Sequence, residues 1–208
     1  MSKVVLVAGM CETAPIIAHA DYIGVDHGAV CCMRQGIAMR KAVGDFDSIT
    51  REELAQLKQY CEVEKLPSHK NETDTEVAIE AALQLGYDDI ILYGGLGGRL
   101  DHEMANLHLM IYRELPLTLM NDTNIIKVLH PGTYEVEKQH TYLSFLPLED
   151  SCISEEGVAY PLKERVLKVT DIYPLSNEIN GNIARITIHY GRVLMMQCRD
   201  AYQTGINI

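Results

Sequence analysis

The stretch Gly44-Asp45-Phe46-Asp47-Ser48-Ile49 sets two carboxylates one residue apart, directly after the short apolar run Ala42-Val43. If that run is a strand, both acids and the Ser48 hydroxyl leave the end of a sheet, where hard divalent cations find oxygen ligands. Paired acids are also common on solvated turns, so the pair gains meaning only from what accompanies it. Asp26-His27-Gly28-Ala29 follows the apolar run Tyr22 to Val25, and an acid with a glycine at a strand's carboxyl end suits close ligand approach. Asp74 lies in His69-Lys70-Asn71-Glu72-Thr73-Asp74-Thr75-Glu76, in the first turn of a helical pattern, where an acid also complements the helix dipole. Gly94-Gly95-Leu96-Gly97-Gly98-Arg99-Leu100-Asp101-His102 follows Ile90-Ile91-Leu92-Tyr93. Its glycines permit positive φ and let backbone amides approach an anion, and Arg99 adds a planar charged fork suited to phosphate. Neither GxGxxG nor the GK[ST] of a P-loop is satisfied in full.

The elements that must carry these stretches are legible from periodicity. Val4 to Ala8 reads as a parallel strand buried on both faces, Tyr22 to Val25 as a second, and Ala29 to Gly36 as the helix between strands. Thr50 with Glu53 predicts a capping box opening a helix that buries Leu54 and Leu57, followed by a short strand from Val63 to Leu66. Thr73 with Glu76 predicts a second box, with Val77, Ala78, Ala81, Ala82 and Leu85 as the buried stripe. Met104, Leu107, Met110 and Ile111 give the next helix its apolar face, and Leu117 to Met120 closes this half. Strands alternating with helices predict an α/β, Rossmann-like parallel sheet domain over residues 1–123. All the candidate stretches then fall on one edge of that sheet, where open α/β sheets bind ligands.

From Asn121-Asp122-Thr123-Asn124 onward the alternation stops. Short β-like runs take over: Ile125 to Leu129, Tyr134 to Glu137, Tyr142 to Leu146, Val166 to Val169, Ile183 to His189 and Val193 to Gln197. Ile186 and Ile188 alternate with Arg185, Thr187 and His189, the period of a half-buried antiparallel strand. Residues 124–208 are therefore expected to form an antiparallel β-sandwich.

The chain has 208 residues, 47% apolar and 23% charged, the balance of a globular protein with a substantial core. A net charge of -11 argues against nucleic acid or an anionic membrane as the main partner, since a negative field repels polyanions. A small anion can still be held locally by a metal ion, basic side chains and amides. The six cysteines form no CxxC pair and no ligand-like grouping with the eight histidines, so reduced, mostly buried thiols are expected. The start of the chain lacks a signal-peptide pattern and no stretch has the apolar length of a membrane span, so the cytoplasm is the expected location.

Together these stretches resemble the thiamine pyrophosphokinase (thiamine diphosphokinase) family. The resemblance rests on Asp26-His27-Gly28-Ala29, Gly44 to Ile49, Lys70 with Thr73-Asp74 and Glu76, and Gly97-Gly98-Arg99-Leu100-Asp101-His102 followed by Ala105-Asn106. Gly157, Tyr160-Pro161-Leu162 and Ser176-Asn177-Glu178 resemble the family's later motifs. The resemblance implies an α/β domain followed by a β-sandwich. It also implies a homodimer with thiamine bound between the α/β domain of one subunit and the sandwich of the other. The implied reaction transfers the pyrophosphoryl group of ATP to the hydroxyl of thiamine, with AMP released and Mg2+ as cofactor. Asp45, Asp47 and Asp74 would hold the metal. Asp26, Gly28, Lys70, Thr73, Gly97, Gly98, Arg99 and Asn106 would meet ATP, and Arg99 would stabilise charge on the transferred group or on AMP. Asp101 would orient thiamine or take its hydroxyl proton, and Ser176 and Asn177 would reach thiamine from the partner subunit. His27 stands where the family usually has a second glycine, and His69 and Asn71 where acids are common. Two other readings stay open: a phosphohydrolase with Asp45 as nucleophile and Asp47 as its acid/base partner, and a nucleotide sensor without catalysis.

Overall fold

The structure is a computed structural model that describes residues 2–9, 11–67, 69 and 71–201. Two compact units make up the chain, Met1–Asn121 and Asp122–Ile208.

In the first unit, β1 (Lys3–Val7), β2 (Ala20–Val25), β3 (Lys41–Gly44), β4 (Glu62–Lys65), β5 (Asp89–Tyr93) and β6 (Leu117–Met120) pair in parallel in the order β4-β3-β2-β1-β5-β6. Val4, Val5, Leu6 and Val7 are wholly buried, so β1 is covered on both faces, as its unbroken aliphatic run requires. The helices are α1 (His27–Arg34), α2 (Arg51–Tyr60), α3 (Asp74–Gln84) and α4 (Leu100–Tyr112). From β1 the chain steps outward to β2, β3 and β4. It then returns through α3, which packs on β1, β2 and β3, and enters β5 on the far side of β1. The direction of winding therefore reverses between β1 and β5, the place where such sheets open a crevice. Pairing of Val7 with Gly24 and Tyr93, and of Val25 with Val43, keeps the carboxyl ends of β1, β2, β3 and β5 level.

Local sequence signals are realised unevenly. At α2 the capping box is complete: Thr50 Oγ1 accepts from Glu53 N at 3.2 Å and Thr50 N donates to Glu53 Oε2 at 2.8 Å. At α3 only half of the expected box forms. Thr73 Oγ1 accepts from Glu76 N at 3.1 Å, while the Glu76 carboxylate turns away to pair with Arg113. Leu85, expected in the buried stripe, is the C-terminal cap of α3 and is exposed. On α4 the buried face is Asn106, Leu109 and Met110; Met104 is exposed and Leu107 and Ile111 are half-buried, so the expected face is rotated. The polar Asn106 inside that face accounts for the misreading.

The second unit is all β. It contains β7 (Asn124–Leu129), β8 (Gly132–Glu137), β9 (Tyr142–Pro147), β10 (Ser151–Glu156), β11 (Leu162–Leu167), β12 (Ile183–Tyr190) and β13 (Val193–Cys198). Within it β13 pairs antiparallel with β7 and β9, and a 4-stranded antiparallel sheet runs β11-β10-β12-β8. Leu129, Phe145, Val193 and Met195 from the first set pack with Ile153, Leu167, Ile186 and Ile188 from the second, the core of a β-sandwich. Strand β10 is absent from the sequence expectation because Ser151-Cys152-Ile153-Ser154-Glu155-Glu156 reads as polar. It is nevertheless an interior strand in which Ser151, Ser154 and Glu155 are buried and hydrogen-bonded. All six cysteines are free thiols, four of them buried. Among the described residues no helix is long and apolar enough to cross a membrane.

Candidate active site

At the end of β2 the backbone of Asp26 takes φ 49°, and just past β3 Phe46 takes φ 58°, left-handed conformations that cost energy outside glycine and that cluster at functional sites. The two turns are tied together: Asp26 N donates to Val43 O at 3.0 Å, and Phe46 N donates to Asp26 Oδ1 at 3.2 Å. Gly44 makes this possible, since a Cβ there would fall 2.0 Å from Asp26 Oδ1. Asp74, the first residue of α3, completes the group. Asp26, Asp45 and Asp74 each offer a carboxylate oxygen, and these oxygens lie within 4.8 Å of one another.

Two of the three acids expected to hold a metal, Asp45 and Asp74, fall in this cluster, and Asp26 joins them. Phe46 buries its ring in the core against Ala42 and Leu57, and the left-handed turn at that residue sends Asp47 outward, where its side chain is exposed. Asp47 contributes its amide instead, donating to Asp45 Oδ1 at 3.0 Å. Asp26 reaches the cluster because β2 and β3 are neighbours. Burial, followed by the hydrogen bond and charge of Asp74, pushes the Asp26 carboxyl up to about 7.

The cluster opens into a cleft of about 410 Å³. Asp26, Asp45, Thr73 and Asp74 line it from β2, β3 and α3; Gly94, Gly95, Gly98, Arg99 and Asn106 line it from the loop after β5 and from α4. Asn106 is buried and donates from Nδ2 to Gly95 O at 2.9 Å, which fixes the start of the glycine loop. Two of the loop's amides share one acceptor. Gly97 N and Gly98 N both donate to Glu103 Oε1, at 2.9 and 2.6 Å. Arg99 is engaged as well: Nε and Nη2 meet Asp101 Oδ1 and Oδ2 at 3.1 and 2.6 Å, and this hydrogen-bonded pairing holds the Asp101 carboxyl below its usual range.

Of the remaining expected residues, Gly28 is buried beneath the cleft rather than lining it. A Cβ there would lie 1.9 Å from Val7 O, so glycine is what lets α1 start against the end of β1. Asp101 and Gly97 flank the cleft through Arg99 and Glu103 and do not line it. Lys70 lies outside the described residues. His27 opens α1, and His69 and Asn71 are exposed; none of them lines the cleft. Glu103 and His102 do, although the sequence reading assigned them nothing.

Ser176 and Asn177 belong to the second unit. The Asn177 side chain is saturated there: Nδ2 donates to Glu155 Oε2 at 2.9 Å and to Tyr160 O at 3.0 Å, while Oδ1 accepts from Tyr160 N at 3.0 Å and Glu178 N at 2.9 Å. A buried amide with all four bonds made is a structural pin, not a free ligand group. Ser176, by contrast, is exposed, has φ 59°, and is held by its N–H on Ser144 Oγ at 2.9 Å. Burial pushes the Glu155 carboxyl beneath this turn up to about 7.

The thiamin pyrophosphokinase catalytic domain family matches residues 15–119, and the thiamin pyrophosphokinase vitamin B1 binding domain family matches residues 133–193. The chain belongs to the thiamin pyrophosphokinase family. It is 30% identical over 190 residues to the thiamine pyrophosphokinase of Bacillus subtilis, covering 88% of this chain and 89% of that protein. The crystal structure of a Bacillus subtilis thiamine pyrophosphokinase superposes with a TM-score of 0.85 at 29% identity, over 96% of this chain and 100% of that one. A thiamin pyrophosphokinase family protein from Enterococcus faecalis gives 0.84 at 29% identity, over 96% and 100%. The family catalyses ATP-dependent diphosphorylation of thiamine, phosphoryl chemistry that goes with a divalent metal ion. Every described cleft residue from Asp26 to Asn106 falls inside the matched catalytic region.

Proposed function

We infer that this chain transfers the pyrophosphoryl group of ATP to the primary hydroxyl of thiamine, releasing thiamine diphosphate and AMP. The observation that carries this is the meeting of Asp26, Asp45 and Asp74 in one cleft with Arg99 and the glycine loop, inside the catalytic region shared with the family. Hard carboxylate oxygens at this spacing fit Mg2+ in preference to a softer ion. When bound, Mg2+ supplies charge neutralisation of the phosphates. Asp45 and Asp74, with Asp26 from the same cluster and Asp47 as the family resemblance implies, would hold it. Arg99 trades its exposed pairing with Asp101 for the transferred group or the departing AMP, a cheap exchange because exposed ion pairs are weak. Asp101, freed from Arg99, is then available to orient thiamine. Most of the acceleration comes from positioning and fixed charge.

We assign nucleotide binding and catalysis to the first unit, and thiamine binding and dimerisation to the second. Ser176 is the thiamine contact and Asn177 the pin that presents it. Two chains share each site in this reading, and the exposed Leu100, Met104 and Tyr112 along α4 support a second copy covering that helix. The reaction is placed in the cytoplasm. Neither the phosphohydrolase reading nor the sensor reading finds support in the family matches.

Incubation of pure protein with ATP, Mg2+ and thiamine tests this. AMP and thiamine diphosphate in equal amounts are expected. ADP, or free phosphate with thiamine intact, overturns the assignment.

A further inference from the structure

We propose that Glu103 is a resident anion in the phosphate cradle, a positioning residue whose carboxylate substrate phosphate must displace before the loop can bind it. Consecutive amides at Gly97 and Gly98, with Gly97 at φ 91°, converge on a single oxygen, the arrangement of a backbone anion nest. The anion in that nest is the chain's own Glu103 Oε1, and Glu103 itself lines the cleft that holds Asp26, Asp45 and Asp74.

The second anion-binding group of the same loop is handled in the same way. Asp101, two residues before Glu103, takes both forks of Arg99. Thus the first turn of α4 supplies internal counter-anions for the amides and for the guanidinium alike. Glu103 is half-buried at the cleft wall, so a rotation about its side-chain bonds carries the carboxylate into solvent without unwinding the helix. A phosphate group has more charge and more acceptor oxygens than a carboxylate, and it replaces Glu103 when the metal-loaded nucleotide arrives. Without substrate the device keeps the amides of Gly97 and Gly98 satisfied. It also sets a threshold that favours polyphosphates carrying their own metal over simple anions, because only those neutralise the cleft's carboxylates on entry.

The inference rests on the phosphate placement proposed above. Its test is direct titration of the protein with ATP and Mg2+ in the absence of thiamine, for wild type, Glu103→Gln and Glu103→Ala, repeated with inorganic tripolyphosphate and Mg2+. Glu103→Gln keeps an acceptor of the same shape without its charge, and Glu103→Ala empties the nest. The expected result is a Kd lower by several-fold in the first and by about tenfold in the second, the scale of one net hydrogen bond to a charged group. KM for ATP should fall with it, while KM for thiamine holds. Unchanged or weaker nucleotide affinity in both variants overturns the proposal and leaves Glu103 as a loop brace. If Glu103→Ala fails to melt like wild type, Glu103→Gln decides alone. A wild type that makes no thiamine diphosphate refutes the phosphate placement itself, whereas normal wild-type turnover with unmoved affinities refutes only the resident anion.

Discussion

Replacing Asp26 by asparagine should stabilise the metal-free protein at alkaline pH while removing its response to metal. In the folded chain the Asp26 carboxyl is pushed up from 3.8 to about 7, first by burial and then by Asp74. A raised acid of this kind contributes stability that is fully present below the unfolded value of 3.8 and is lost as pH rises through 7. Undiscounted, the span corresponds to roughly 4 kcal/mol at about 1.36 kcal/mol per pH unit. Asp26 is only half-buried, and solvent screening reduces this to about 2 kcal/mol. For a chain of this size that is a fall in Tm of about 4–8 °C between about pH 4 and about pH 8. The amide of Asp26→Asn cannot ionise, so the variant should lack that part of the pH dependence and melt above wild type at the alkaline end. Glu155 titrates in the same range in both proteins, so the difference between them isolates Asp26. Adding Mg2+ at about pH 8 should raise the wild-type Tm and leave the variant nearly unmoved. Thermal melts followed by circular dichroism across pH, with and without Mg2+, read all of this. Parallel pH slopes in the two proteins, or an equal gain from Mg2+, would refute the reasoning.

Asp45→Asn and Asp74→Asn should each lower kcat by orders of magnitude with near-normal melting; steady-state rates decide, an equal loss in Asp47→Asn places that acid in the metal set, and a near-normal rate in any of the three removes that residue from it. Gly28→Ala should destabilise the first unit by about 1–3 kcal/mol or more, because its Cβ meets the Val7 backbone and not a side chain that can move. A melt indistinguishable from wild type would contradict that packing. Glu155→Gln should keep the acceptor for Asn177 and remove a carboxyl pushed up from 4.5 to about 7, a contribution present below 4.5 and lost through 7, so the variant should be more stable than wild type by roughly 3 kcal/mol at about pH 8. Denaturant unfolding at that pH checks it, and a less stable variant would mean the charged form is favoured.

Much of this site was legible because its signals are local. Apolar runs ending in acid or glycine marked the strand ends, and the alternation of strands with helices put them on one edge. What escaped depends on which strands become neighbours. Asp26 and Asp45 are 19 positions apart in the numbering, and only the β2–β3 pairing brings their carboxylates together. The left-handed turn at Phe46, which leaves Asp47 exposed while Asp45 joins Asp26 and Asp74, has no signal in the spacing of the two acids. Strand β10 was invisible for a related reason: its buried Ser154 and Glu155 are satisfied by His189 and Asn177, partners that sequence alone does not reveal. The Glu76 half of a capping box was lost to Arg113, and Glu103 carried no motif at all.

The most direct test of the account follows the phosphorus atoms themselves. ATP labelled in turn at the α, β and γ phosphates is supplied with Mg2+ and thiamine, and the products are separated. The account predicts that β and γ label both arrive in thiamine diphosphate in equal amount and that α label remains in AMP. γ label appearing alone on thiamine, or released as free phosphate while thiamine is untouched, would contradict it.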